Sequence, residues 1–570
     1  MAAGAVLGTQ SRPVSDRTRE LAELRRDLLH LPPADRVEAI LSAPRPGELV
    51  RALPAQELYL TIADAGVDAS LALLPLASRH QLDFLLDIGA WSGDELDVER
   101  LADWLAAFGE ADPGLVARWL LEGDEPTVVL ALSRLLRVYK LDESTSEDRW
   151  PPDRPVPTLD GVYFVEPDEE VSQGSLTALW SGLARLRERS RPAYEALLEQ
   201  VLWLVPAEQE EAVWTGRWSR LAERGFPEPD ESLQVWAAGP EADLGRRAEA
   251  ARLLVERSGD RRFERPSPAA AGRALTQVRA ETHPRLAAAV RHMSDDRVEQ
   301  LAHDLIRLGN RYAVAGGGDL GEPATHAAGL ATAASHVNLG LCELAGADDA
   351  RLAVILSDRP LIDVCRLGVG AVEERARHAR HLVTSGWLSR VHLARERLEP
   401  ALGEPLDGLT EPRPRFTAGG IDRPFRDPGD LEIIDEALAS IDAIGAFLED
   451  TLAVGEDELP ELTPLPAGRA GPDDVEWTHV ALTSIARSAL EGGVRPRPLS
   501  SSEVFEAAGR LLTTSEPRGV SGAFLKSARE LGLEAARPLL ARLLVEDLGE
   551  RPAREDDADA RFVRALLVAP

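Results

Sequence analysis

Apolar positions recur every three or four residues over most of the chain, the period of helices with one buried face. In the first part of the chain a second pattern overlies this one. Leu31-Pro32, Leu53-Pro54 and Leu74-Pro75 follow one another at spacings of 22 and 21 residues. Each precedes a stretch with helical apolar spacing: Val37, Ile40 and Leu41, then Leu58, Leu60 and Ile62, then Leu82, Leu85 and Leu86. Proline suits the first helical position because the N–H it lacks has no partner there anyway. Short helix pairs cannot bury their apolar faces alone, so they stack. The pattern therefore predicts a helical-repeat solenoid over 19–141, with longer helices at 98–108, 114–121 and 126–140.

From 142 to 174 the character changes to an acidic loop. Residues 142–170 hold ten acidic side chains against Arg149 and Arg154, with Pro151, Pro152, Pro155 and Pro157 in the middle of the stretch. Within it, 156–165 reads as a hairpin turned by Asp160-Gly161, the pair that a two-residue type I′ turn favours. A helical domain follows over 175–264, with helices at 175–189, 193–205 and 209–224. A short Pro/Ala linker at 265–272 leads to a second helical domain over 273–398, interrupted by the glycines of 316–321. Six prolines and five glycines within 399–430 predict a linker and domain boundary. The remainder, 431–570, reads as a C-terminal helical domain with one Pro/Gly/acid loop at 455–474. Residues 1–18 read as a disordered head. The fold class is all-α: a solenoid, then helical bundle domains, with one small hairpin near 156–165.

Composition sharpens this picture. Of the 570 residues 44% are hydrophobic and 28% charged, which excludes wholesale disorder. The 64 basic and 96 acidic residues leave a formal charge of −32, so nucleic acid and anionic membrane surfaces are repelled. Lysine occurs only at Lys140 and Lys526; arginine supplies every other cationic side chain. No stretch reaches the ~18 uninterrupted apolar residues of a membrane span, which predicts no integral membrane segment. The start lacks the apolar core of a secretory signal, and Cys342 and Cys365 make no redox or metal pair. A cytoplasmic protein is expected.

Three stretches together resemble an uncharacterised bacterial family, domain of unknown function six-one-seven-eight. They are the Leu-Pro repeats with Ala55-Gln-Glu-Leu-Tyr59, the 158–165 hairpin, and the block Arg217-Trp218-Ser-Arg220-Leu221-Ala-Glu-Arg224-Gly225-Phe226-Pro227. The likeness runs from about Leu28 to Asn338-Leu-Gly-Leu341 and implies a helical fold without a stated activity. The N-terminal repeats are also similar to the superhelical cytoplasmic N-domain of bacterial magnesium transporters, over 28–121 only.

Histidine carries the most suggestive chemistry. Eight of eleven fall between His283 and His392. On helices, Glu299 with His303 and Glu374 with His378 are one turn apart, and His381 adds a third group to the second set; such pairs can ligate a metal ion. The Glu-x-x-x-His spacing departs from the Glu-x-x-His of di-metal bundles, and exposed helix residues are the simpler reading. Gly316-Gly317-Gly318-Asp319-Leu320-Gly321 satisfies GxGxxG formally but lacks the preceding buried strand, so a loop between helices is expected. Trp203, Trp214, Trp218 and Trp236 cluster in sequence, with Trp214 and Trp218 on one helix face; core packing or an aromatic anchor for a partner would each account for them. No cofactor motif and no catalytic set appears. The expected role is a cytoplasmic scaffold or adaptor binding another protein. The alternative is a metal-dependent enzyme or sensor using histidines and carboxylates within 283–392.

Overall fold

The computed structural model describes residues 28, 31–140, 156–158, 160–169, 171–237, 244–257, 282–344, 346–455, 457, 459, 475–513, 519–549 and 563–569. The expected head, the 265–272 linker, the acidic stretch 142–155 and most of the 455–474 loop lie outside the described residues. Helices dominate, and the strands described form three small antiparallel sheets. No described helix is long and apolar enough to cross a membrane. Contacts divide the chain into two compact units. Unit 1 comprises Met1–Val235, Pro266–Gln277 and Asp295–Ala333; unit 2 comprises Trp236–Arg265, Val278–Ser294 and Ala334–Pro570.

Unit 1 begins with short helices whose starts follow the proline logic in part. Pro32 and Pro54 stand at the N-caps of Pro33–Ser42 and Ala55–Ala65. The third repeat differs: Pro75 lies inside a 3₁₀ turn, Leu71–Leu76. The helix that follows, Arg79–Gly89, starts instead from a capping box between Ser78 and Gln81. Asp97, Asp112 and Asp124 cap Val98–Ala111, Pro113–Glu122 and Glu125–Leu135 in the same way, each accepting a first-turn N–H. The apolar faces converge on one core that includes Leu49, Leu58, Ile62, Leu74, Phe84 and Phe108.

The helix expected over 126–140 ends five residues early. Leu136–Lys140 is extended and pairs with the strand Tyr163–Pro167 in the register Val138↔Val165; Val156–Pro157 pairs on the other side of Tyr163–Pro167. Burial of Leu136, Val138, Tyr163 and Val165 outweighs continuing the helix. Because Thr158 N donates to Tyr163 O, the hairpin closes a longer loop than a two-residue turn, with Gly161 at positive φ (68°). Helices Gln173–Arg189, Arg191–Leu202 and Pro206–Ala222 complete this part of the unit.

The Arg217–Pro227 block has a physical explanation. Arg217 is buried: its Nε donates to Asp87 O (2.7 Å), its Nη1 to Gly93 O (3.3 Å), and the guanidinium lies over Trp91 and Trp218, 4.6 and 5.1 Å from their ring centroids. Burial pulls its pKa down to about 10. One turn on, Arg220 donates from Nε and Nη2 to both oxygens of the buried Asp87 carboxylate (2.9 and 2.7 Å) and stands 3.2 Å from Asp124.

In unit 2 the segment expected as a linker is folded. Pro400–Thr410 is a helix, Phe416–Ala418 and Ile421–Arg423 form a hairpin, and Leu402, Leu406, Leu409, Phe416 and Phe425 lie in the unit's core. The prolines and glycines have defined places: Pro400 and Pro428 at helix starts, Gly419 and Gly420 in the left-handed turn between the strands. Pro405 removes one ladder bond from a helix held by its buried leucines.

Helices Pro323–Glu343 and Leu361–Thr384 meet backbone to backbone: a Cβ on Gly368 would lie 2.0 Å from His336 O, and one on Gly340 1.9 Å from Val364 O. Beside this crossing Asn338 is fully buried. Its Oδ1 accepts from the N–H groups of Arg285 and Leu286 (3.0 and 3.1 Å), satisfying the start of Pro284–Val290, while its Nδ2 donates to Arg426 O (3.0 Å). Leu244–Arg257, Asp349–Asp358, Pro428–Ala446, Trp477–Glu491, Ser501–Leu511, Gly522–Glu530 and Arg537–Leu548 supply the other longer helices described.

Two outcomes are expected from this packing. Replacing Asp87 by Asn leaves Arg220 without its buried counter-charge and should lower stability by roughly 3 kcal/mol, read as a reduced urea midpoint. His336 is buried against Trp236 (ring centroids 5.7 Å apart), and burial pulls its pKa from 6.5 down to about 4. The folded state thus favours neutral imidazole, so its contribution is complete above pH 6.5 and is lost as pH falls towards 4. Thermal melts between those limits should show this loss, and His336→Phe should flatten it.

Candidate binding cleft

An open cleft of about 1030 Å³ lies within unit 1. The Ala55–Ala65 helix supplies Gln56, Leu60 and Asp64 to it. The Asp295–Gly316 helix contributes His303, Ile306, Arg307 and Asn310. Ala324, His326, Ala327 and Leu330 come from the first turns of Pro323–Glu343, and Arg224 from the end of the Arg217–Pro227 block. Two of these helices approach closely through glycine. A Cβ on Gly329 would sit 2.4 Å from Gly309 O, and one on Gly309 2.9 Å from Leu330 Cα. This contact brings Asn310 and His326 towards one another across the cleft floor.

The floor is a closed hydrogen-bond circuit. Gln56 Nε2 donates to Asn310 Oδ1 (2.9 Å), and Asn310 Nδ2 returns a bond to Gln56 Oε1 (3.1 Å). His326 Nε2 lies 2.8 Å from Leu320 O, and a carbonyl can only accept, so Nε2 carries the hydrogen. Its Nδ1 then accepts from Gln56 Nε2 (3.3 Å). Burial lowers the His326 pKa, opposed by the bond to Leu320, so this neutral tautomer is the favoured one. Phe226 stands edge-on to the imidazole at 5.7 Å.

The glycine-rich 316–321 stretch is a loop between helices, as its sequence context predicts. Asp319 Oδ1 accepts from Gly321 N (2.7 Å) and Asp319 Oδ2 pairs with Arg100 (2.6 Å). Tyr59 Oη donates to Gly321 O (2.5 Å), and burial with the nearby Asp319 and Glu322 charges holds this phenol protonated. Tyr59 thereby ties the loop to the Ala55–Ala65 helix, and Asp319 ties it to Val98–Ala111.

The five residues singled out as metal candidates fall in two places. Glu299 and His303 lie on the unit 1 helix Asp295–Gly316; His303 is exposed and borders the cleft, while Glu299 is not among the lining residues. Glu374, His378 and His381 lie on the unit 2 helix Leu361–Thr384. There Glu374 and His378 share a recess of about 510 Å³ with the buried Arg247. Arg247 donates to Glu374 (2.5 Å) and Glu343 (2.8 Å), so a guanidinium is the cation that these carboxylates hold. His378 Nε2 is 3.0 Å from Asp442, and His381 Nδ1 is 2.7 Å from Ser385 Oγ. Among the described residues, no three His, Cys, Asp or Glu side chains form a group able to hold a metal ion.

The tryptophans divide. Trp218 is buried, Trp214 meets it edge-on at 6.3 Å and donates to Asp94 Oδ1 (2.9 Å), and Trp203 is 76% exposed, donating to Glu199. Sequence reasoning missed the circuit: Asn310 carried no signal, and Gln56, Arg224 and His326 stood in the family-like stretches or the histidine-rich region with nothing to link them.

Fold and cleft together define an all-α protein with an open, largely apolar cleft in unit 1. The chain belongs to a family of unknown function (DUF6178), whose model matches residues 14–569. No curated protein and no solved structure matches the chain.

Replacing Gln56 by Leu would leave the buried acceptors Asn310 Oδ1 and His326 Nδ1 without their shared donor. A loss of about 2 kcal/mol is expected, measured by chemical denaturation, with little change in secondary structure by circular dichroism.

Proposed function

We propose that this chain is a helical adaptor that binds a segment of another protein, and that apolar side chains of that segment lodge in the unit 1 cleft. One observation carries this reading: the cleft is large, open and walled by Leu60, Ile306, Ala324, Ala327 and Leu330, while its floor amides and imidazole are bonded to one another and to the chain. Such a site offers contact area and shape. Both nitrogens of His326 are engaged, so the imidazole at the floor is not poised to move a proton for a substrate. The charge of −32 favours a protein partner over nucleic acid, and a cytoplasmic setting accords with only two cysteines, both free.

The test is a photo-crosslinking residue introduced at Leu60 in the native host. Covalent capture of a defined protein is expected, and Leu330→Arg in the same chain should abolish it. Crosslinks that form only from Trp203, on the exposed aromatic surface, would move the binding face elsewhere and overturn the assignment to the cleft.

A further inference from the structure

The cleft's charged residues differ in how far they are already engaged. Arg36 donates to Leu28 O, Leu31 O and Thr61, and Asp304 accepts from Gln300 (3.1 Å). Arg224 and Arg307 are different. The Nη1 of Arg224 is buried without a hydrogen-bond partner, although its guanidinium lies over Phe84 (5.3 Å). Asp83 and Asp87 act on its charge, yet neither lies within ion-pair distance of it among the described residues. Arg307 is exposed and makes no ion pair or hydrogen bond among the described residues. Arg307 Cγ would be 3.2 Å from a Cβ on Gly225, the residue after Arg224, whose φ of 90° continues no helix. A buried guanidinium donor without an acceptor is costly, and two guanidiniums lining one cleft suit carboxylates, which each can bind through paired N–H groups.

We infer that the segment received by the cleft is acidic as well as apolar: an amphipathic helix with glutamate or aspartate one turn from its apolar anchors, its carboxylates meeting Arg224 and Arg307. This rests on the protein-binding reading of the cleft. Two further observations shape it. None of the three sheets supplies a lining residue, so a partner cannot enter by adding a strand, and apolar walls made by helices suit a helix laid in a groove. Asp64, also at the rim and exposed, would disfavour an acid placed on its side, so the preference fixes the direction of the bound helix as well as its charge.

The experiment uses the full chain and three fluorescein-labelled peptides of about eighteen residues with one shared stripe of leucines at i, i+3, i+4 and i+7. Their remaining positions are glutamate with glutamine, lysine with glutamine, or glutamine alone. The chain's charge of −32 by itself favours the lysine peptide, so the sign of the preference is diagnostic. Anisotropy should show the glutamate peptide binding at least about tenfold more tightly than the lysine peptide. Arg307→Glu, an exposed change that leaves packing intact, should remove that preference. Leu60→Arg and, separately, Ile306→Arg should abolish binding of all three, with circular dichroism confirming that each variant folds. If the lysine peptide binds best and Leu60→Arg still blocks it, the acidic partner is wrong while the cleft reading stands. Failure of all three peptides to bind, or binding unaffected by Leu60→Arg and Ile306→Arg, overturns the cleft reading and the acidic partner with it.

Discussion

Unit 1 depends on a buried carboxylate. Asp87 sits near the end of the Arg79–Gly89 helix, and both of its oxygens are taken by Arg220 while its carbonyl takes Arg217. Removing a charge from water costs several kcal/mol, and only close opposite charge and full hydrogen bonding offset it. That requirement fixes the rotation of the Pro206–Ala222 helix: with Arg217 between two indoles and Arg220 on Asp87, the next turn must present Arg224 over Phe84. Phe226 then reaches the imidazole of His326, and the cleft floor follows. Lysine could not substitute at 217, since one ammonium cannot span two carbonyls and lie flat against two ring faces.

Unit 2 is organised on a different principle. Its counterpart is an uncharged contact, the glycine crossing of Pro323–Glu343 and Leu361–Thr384, with Asn338 closing the start of a third helix. Two backbones in van der Waals contact leave no room for a side chain, so Gly340 and Gly368 are positions of shape and not of flexibility. Asp430, buried and doubly bonded by Arg423 (2.6 and 2.7 Å), repeats in this unit the carboxylate–guanidinium device of the other.

Helix identity was legible because periodicity reports directly on burial. The helices expected at 98–108, 114–121 and 175–189 lie within observed ones. Failures came where composition stood in for geometry. Pro400 and Pro428 counted as breakers at 399–430, yet both occupy the helix position that needs no N–H donor. Leu136–Lys140 continued a helical pattern, but its strand partner lies more than twenty residues on, where a local window does not look. The cleft was almost invisible for the same reason. Gln56, Arg224, Asn310 and His326 come from four separate stretches, and no spacing rule links an amide on one helix to an imidazole some 270 residues later. His303 was legible as a residue type and falls on the cleft; the Glu374 and His378 spacing fits a metal pair or plain helix-surface residues alike, and only the structure shows that Glu374 accepts from Arg247.

The closed circuit of Gln56, Asn310 and His326 has a thermodynamic consequence. Because those groups already satisfy one another, an occupant of the cleft would displace water from apolar walls without gaining new polar bonds from the floor. Association on the proposed reading would then carry a negative heat-capacity change, the signature of apolar surface leaving water. The apolar walls would supply contact area but say little about which way round an occupant lies. Orientation is left to the few charged side chains at the rim, so affinity and discrimination reside in different parts of one cleft.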